Sequence, residues 1–194
     1  MNSRIVLLTA FVLVALMQLY VPAKMIWDRE DVLRTGTEYK FRTAPIDPTD
    51  PFRGKYITLS YDENSIEISD AENWVSGESI YVALGTDKEG IARIESVSRA
   101  RPTDGADFIE AQVWYVSESD PRRLMIDYPF DRYYMEESKA QEAEDTHRRA
   151  QRDTTRITYA LVSVKNGDAV VKDILIDGIS ISEIVKANRE GAKE

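Results

Sequence analysis

Four carboxylates, Asp47, Asp50, Glu136 and Glu137, and two guanidiniums, Arg53 and Arg132, stand close in sequence to two Pro-Phe pairs, Pro51-Phe52 and Pro129-Phe130. If the two Pro-Phe turns are neighbours in the fold, these side chains converge on paired carboxylates and guanidinium forks. That chemistry suits a peptide terminus, a phosphate or a cation. Gly54, Tyr56, Tyr61 and Tyr133 complete the candidate binding surface with a backbone free of a side chain and with aromatic faces. The same residues also read as scaffold, and we favour that reading. Asp47 and Asp50 cap their own turns, Pro45, Pro48 and Pro51 hold the residues before them extended, and the charges interlock as ion pairs.

Other chemistries find less support. Asp47-Pro48-Thr49-Asp50-Pro51 lacks the ligand spacing of a calcium loop, and its prolines remove the freedom such a loop uses. His147 is the one histidine in the chain and sits among charged residues, so it reads as an exposed helix residue and not as a base or ligand. There is no cysteine, which removes disulfides, zinc-thiolate sites and thiol catalysis together. No Gly-x-Ser-x-Gly, Ser-x-x-Lys or oxyanion-loop pattern occurs. The reading therefore assigns no catalytic residue, no metal and no cofactor. Its alternative is a membrane-anchored hydrolase with an unfamiliar site. With 34 acidic against 25 basic residues and a net charge of −9, nucleic acid is excluded as a partner, because such binding neutralises phosphates with clustered Lys and Arg.

The elements that must position these residues begin with a membrane segment. Ile5 to Val21 is apolar apart from Thr9 and Gln18, and with the residues up to Trp27 it is long enough to cross a hydrocarbon core. Trp27 and Lys24 read as an interfacial belt with a snorkelling amine. We take residues 1–27 as an uncleaved, single-pass anchor in the cytoplasmic (inner) membrane, holding the lipid bilayer through residues 5–27, with 28–194 an extracytoplasmic domain. Cleavage as a signal peptide after Ala23 is the competing outcome. Beyond the anchor, period-two alternation marks strands over Tyr39–Arg42, Lys55–Tyr61, Ser79–Leu84, Ile91–Ser98, Phe108–Val116, Arg123–Tyr128, Arg156–Val164 and Ala169–Ile176. The expected class is mainly β (α+β). Residues 85–90 and 165–168 join strand pairs as hairpins, the second with Asn166-Gly167. One charged helix, Glu136 to Arg152, lacks a large apolar face and reads as a solvated connector, although Ala140, Ala143 and Ala150 form a small stripe suited to close packing.

An internal repeat is visible as well. Pro51-Phe52-Arg53-Gly54-Lys55-Tyr56 has a counterpart 78 residues on in Pro129-Phe130-Asp131-Arg132-Tyr133-Tyr134. Ile80, Ala83, Leu84, Lys88, Gly90 and Ala92 align with Ile157, Ala160, Leu161, Lys165, Gly167 and Ala169 at an offset of 77. Two duplicated units, 37–98 and 108–178, are expected, each running strand, Pro-Phe turn, aromatic strand, connector, hairpin.

Gly54-Lys55-Tyr56-Ile57-Thr58-Leu59-Ser60-Tyr61 resembles the signature of the bacterial GDYXXLXY family, with Lys55 where the family has aspartate. Asp47 to Arg53 is similar to the family's lead-in, Asp131-Arg132-Tyr133-Tyr134-Met135-Glu136-Glu137 to its second tract, and Asp177-Gly178 to its close. The resemblance implies a membrane-anchored bacterial protein and carries no biochemical activity with it. Lys55 argues against an acid or ligand role at that position. The expected function is a non-enzymatic envelope module that docks on an integral membrane or envelope partner.

Overall fold

The computed structural model describes residues 3–44, 56–69, 73–103, 105–117, 120–153 and 155–191. Asp47, Asp50, Arg53 and Gly54 lie outside the described residues, and with them the expectations about the first Pro-Phe turn. Helix α1 spans Ser3–Thr35 and continues through Pro22. Its apolar side chains have no protein cover: Leu7 is 68% exposed, Phe11 70% and Trp27 77%. The last turns behave differently. Val32 is buried, and Lys165 Nζ donates to Asp31 Oδ2 at 2.6 Å and to Thr35 Oγ1 at 2.7 Å. One helix thus belongs both to the apolar segment and to the folded body.

The body is β-rich, as expected. Its strands are β1 Thr37–Ala44, β2 Tyr56–Thr58, β3 Ser60–Tyr61, β4 Ser65–Glu67, β5 Ser79–Thr86, β6 Ala92–Ser98, β7 Phe108–Ser117, β8 Arg123–Asp127, β9 Arg132–Tyr134, β10 Thr158–Lys165, β11 Asp168–Ile176 and β12 Ile179–Ser180. Helix α2, Glu137–Arg152, separates β9 from β10, and α3, Ile181–Gly191, follows β12. One five-stranded sheet has the order β12-β11-β10-β1-β3, a second β4-β8-β7-β5-β6, and β2 with β9 forms a two-stranded ribbon. Alternate residues of both sheets, among them Phe41, Ile80, Val82, Ile109, Val162 and Ile174, meet in one hydrophobic core.

The two hairpins share their register. In β5–β6 Glu95 is left unpaired between Ala83–Ser96 and Leu84–Ile94, and in β10–β11 Lys172 is left unpaired between Leu161–Asp173 and Val162–Val171. Past each bulge, Thr86 faces Ala92 and Val164 faces Ala169. The register aligns Val82 with Ala160, so the sequence alignment of Ala83 with Ala160 is one residue out in β5 and β10, while β6 and β11 keep the offset of 77. The cause is the loop, one residue longer in the first hairpin. Asn166 and Gly167 turn the second with φ of 55° and 101°, the positive angles that an Asn-Gly turn supplies. Strand β1 lies along β10, and β7 lies along β5.

Three features depart from the sequence reading. The expected strand Lys55–Tyr61 is divided at Leu59 between the ribbon and the first sheet. Helix α2 is no solvated connector, because Ala140, Ala143, His147 and Ala150 form a buried stripe at helical spacing. His147 is therefore a core residue, 3% exposed, and not the exposed one expected. Helix α3 was not anticipated. Its signals are Ser180, whose Oγ accepts from the Ser182 N–H at 3.2 Å as an N-cap, and the apolar positions Ile181, Ile184 and Val185.

Candidate functional site

Leu59 is the corner of the signature segment. Before it, Tyr56 faces Tyr134, Ile57 faces Tyr133 and Thr58 faces Arg132 in the ribbon. After it, Ser60 and Tyr61 pair with Ala44 and Thr43 of β1. The Leu59 N–H donates to the Asp131 carbonyl at 2.8 Å, which extends the ribbon one residue to the point where the chain changes sheet. The period of two survives the corner, so Ile57, Leu59 and Tyr61 all enter the core while Tyr56, Thr58 and Ser60 stay at least partly exposed.

Tyr61 is buried, 4% exposed, and packs in the core. Its ring lies edge-on to Phe41, with centroids 5.4 Å apart, and also meets Tyr128 at 6.0 Å and Phe130 at 5.2 Å. The Tyr61 hydroxyl donates to the Phe130 carbonyl at 2.8 Å, and the Tyr128 hydroxyl to the Glu63 carbonyl at 2.9 Å. Burial pushes both phenols well above their ordinary range, so each acts as a fixed donor. Phe130 of the second Pro-Phe pair thus serves the core. Tyr133 is half-buried and donates weakly, at 3.4 Å, to Asp173 Oδ1; burial raises its phenol too.

On the outer face of the ribbon, the Tyr56 and Tyr134 rings meet at a tilt of 53° with centroids 5.5 Å apart, and the Arg132 guanidinium lies 5.1 Å from the Tyr56 ring centroid. A hydrogen bond with Tyr134, then the Asp131 carboxylate, 3.6 Å from Arg132 Nε, and the Tyr56 phenol hold that guanidinium firmly charged. Glu136 caps nothing with its side chain. Lys139, at 2.6 Å, and Ser138, at 2.9 Å, hold its carboxyl below the ordinary carboxylate range. Glu137 enters as the first residue of α2. Of the sequence-selected surface, the structure brings Tyr56 and Arg132 together, sets Tyr133 on the opposite face of the ribbon, and takes Tyr61 into the core.

Two features escaped sequence reasoning. A groove of about 460 Å³ opens between Arg29 of α1, residues 129–132 with Tyr134, and residues 169–171 of β11. The other is a buried polar chain, in which Thr43 Oγ1 donates to Thr158 Oγ1 at 2.7 Å and lies 3.4 Å from His147 Nε2. Thr43 has its one proton committed, so the contact needs His147 to carry hydrogen on Nε2. Burial holds the imidazole neutral, its pKa lowered to about 4. Among the described residues no group of three or more His, Cys, Asp or Glu side chains is placed to hold a metal ion.

No curated protein and no solved structure matches the chain. The GDYXXLXY protein family model does, over residues 18–174, which takes in the docked end of α1, the sheet-switching signature segment, the ribbon and both hairpins. The protein belongs to the GDYXXLXY family.

Proposed function

We propose that the protein is a single-pass, membrane-anchored module of the bacterial envelope, with residues 28–194 outside the cytoplasm, that docks on an integral membrane or envelope partner and performs no catalysis. The observation that carries this reading is the contrast within α1. Its apolar turns are fully exposed, a cost of about 25 cal/mol per Å² in water that a bilayer removes, while its last turns are pinned to β10 by Val32, Asp31 and Thr35. A helix continuous from the apolar segment into the sheet holds the domain at a set distance from the membrane. A reporter fused after Glu194 is expected to be active only outside the cytoplasm, and the membrane-bound protein to keep its N-terminus. A mature chain beginning at Lys24 would sink the anchor, and cytoplasmic reporter activity would reverse the orientation.

The signature segment serves this module first as scaffold. The buried face of Ile57, Leu59 and Tyr61 and the bond from Tyr61 to Phe130 support that role. Arg53→Ala and Arg132→Ala divide scaffold from recognition. As scaffold residues they lower the unfolding temperature of the domain. If both leave unfolding unchanged and abolish partner capture, Asp47, Asp50, Arg53, Gly54, Tyr56, Arg132, Tyr133 and Glu137 are a recognition surface instead.

A further inference from the structure

We propose that the groove between α1, β9 and β11 binds the phosphate of an anionic phospholipid headgroup. This rests on the anchored reading above. Arg29 lies two residues beyond Trp27, about 3 Å along the helix axis, so an α1 that spans the bilayer sets Arg29 at headgroup depth. Among the charged side chains near it, Lys24 pairs with Asp28 at 2.5 Å, Arg34 with Glu30 at 2.7 Å and Asp31 with Lys165 at 2.6 Å. Arg29 alone of this set has no hydrogen bond or ion pair among the described residues.

Arg29 lines the groove from the helix side, and Arg132 and the Tyr134 side chain line it from the ribbon. Two guanidiniums face one carboxylate there, Asp131, in a protein whose net charge is −9. A phosphodiester offers two non-bridging oxygens that share one negative charge, the acceptor pair that such forks take up. Val170 and Val171 give the groove an apolar wall, against which a glycerol backbone and its first acyl carbons pack. The lipid is the occupant because the groove is bounded by the same helix that enters the bilayer, and a diffusing phosphate would gain nothing from that apolar wall.

The test uses the full chain, purified in detergent, stripped of lipid and titrated with phosphatidylglycerol or phosphatidylcholine, with bound lipid read by native mass spectrometry. Phosphatidylglycerol should bind about tenfold more tightly. Arg29→Gln or Arg132→Gln should each reduce that preference about fivefold, the effect of one basic residue at a membrane surface, and Asp131→Asn should increase it. The lipid-free unfolding temperature of the exposed Arg29 variant should not move, so loss of binding is not loss of fold. Equal affinity for the two lipids, or a preference that survives both arginine substitutions, overturns the proposal. Competition by water-soluble glycerophosphoglycerol at the concentration of saturating lipid would assign the site to a free phosphodiester and overturn the lipid. The anchored reading fails separately, if cells release a mature chain starting at Lys24, whatever lipid ratio the purified full chain returns.

Discussion

Tyr61 carries two loads at once: its ring closes the cluster of Phe41, Tyr128 and Phe130, and its hydroxyl satisfies a carbonyl in the turn before β9. Tyr61→Phe keeps the ring and orphans the Phe130 carbonyl, so it should cost about 1 to 3 kcal/mol in denaturant unfolding. Leu59→Ala, which empties the corner, should cost about 2 to 5 kcal/mol. A cost for Tyr61→Phe indistinguishable from zero would mean that water reaches the carbonyl. His147 gives a pH signature of its own. Folded, it holds a pKa of about 4; unfolded, it returns to about 6.5, so between those values the unfolded chain binds more protons. Stability from this residue is complete above about pH 6.5 and is lost as pH falls towards 4, on the order of 3 kcal/mol in all. Asp31, Glu78, Asp87, Glu136 and Asp153, whose carboxyls are lowered by their partners, also lose stability in acid, at or below the ordinary carboxylate range. Comparison of wild type with His147→Gln between pH 4 and 6.5 isolates the histidine. The variant's curve should be flatter there, and parallel curves would show His147 to be solvated.

At the scale of elements, strands with one buried face were legible because apolar side chains must alternate, and that held for β1, β5, β7, β8, β10 and β11, whereas the short β4 shows no such alternation and was not expected. What alternation cannot report is a change of pairing partner. The segment from Tyr56 to Tyr61 keeps its period across Leu59 although its hydrogen bonds move from β9 to β1. Helix α2 misled for a related reason. A stripe of Ala140, Ala143 and Ala150 carries little hydrophobicity, but small residues let a helix pack closely, and all three are buried with His147 on the same face. Replacing Ala143 by Leu should therefore destabilise by about 1 to 3 kcal/mol, where a solvated connector would gain from it. The junction of α1 with β1 is equally tight. A Cβ on Gly36 would stand 2.6 Å from the Val32 carbonyl oxygen and 2.9 Å from that of Val164, both backbone atoms that cannot step aside. Gly36→Ala should lower the unfolding temperature by several degrees, the scale that about 1 to 2 kcal/mol sets for a domain of this size. An unchanged melting curve would mean that α1 is free to lift off β10.

For the whole molecule we propose a duplication whose halves have exchanged their first strands. The matching bulges at Glu95 and Lys172 support it, as does the alignment of Phe41 with Ile109 through their partners Ala160 and Val82. Direct pairing of Tyr56 with Tyr134, the two tyrosines at equivalent places in the repeated Pro-Phe tracts, sets the halves about an axis through the ribbon. The proposed repeat shows most clearly in sequence at the hairpin loops, where Gly90 and Gly167 turn with positive φ, and is blurred in β5 and β10, where apolar residues of similar size replace one another. It departs from symmetry where β3 follows the ribbon strand and pairs with β1, while β8 precedes it and pairs with β7. Exchange has a physical consequence. Cut between Ser98 and Phe108, the chain gives two fragments, each with a hairpin whose neighbouring strand lies on the other. Neither fragment can cover its own sheet edge or complete the shared core, so each alone should be unfolded or aggregated. Coexpressed, the two should copurify in a one-to-one complex, with the strand content of the intact domain by circular dichroism and a lower, concentration-dependent unfolding temperature. A first fragment that folds alone as a monomer, with protected amides in β5, would show that β7 is dispensable to its hairpin and that the halves are neighbours without exchange.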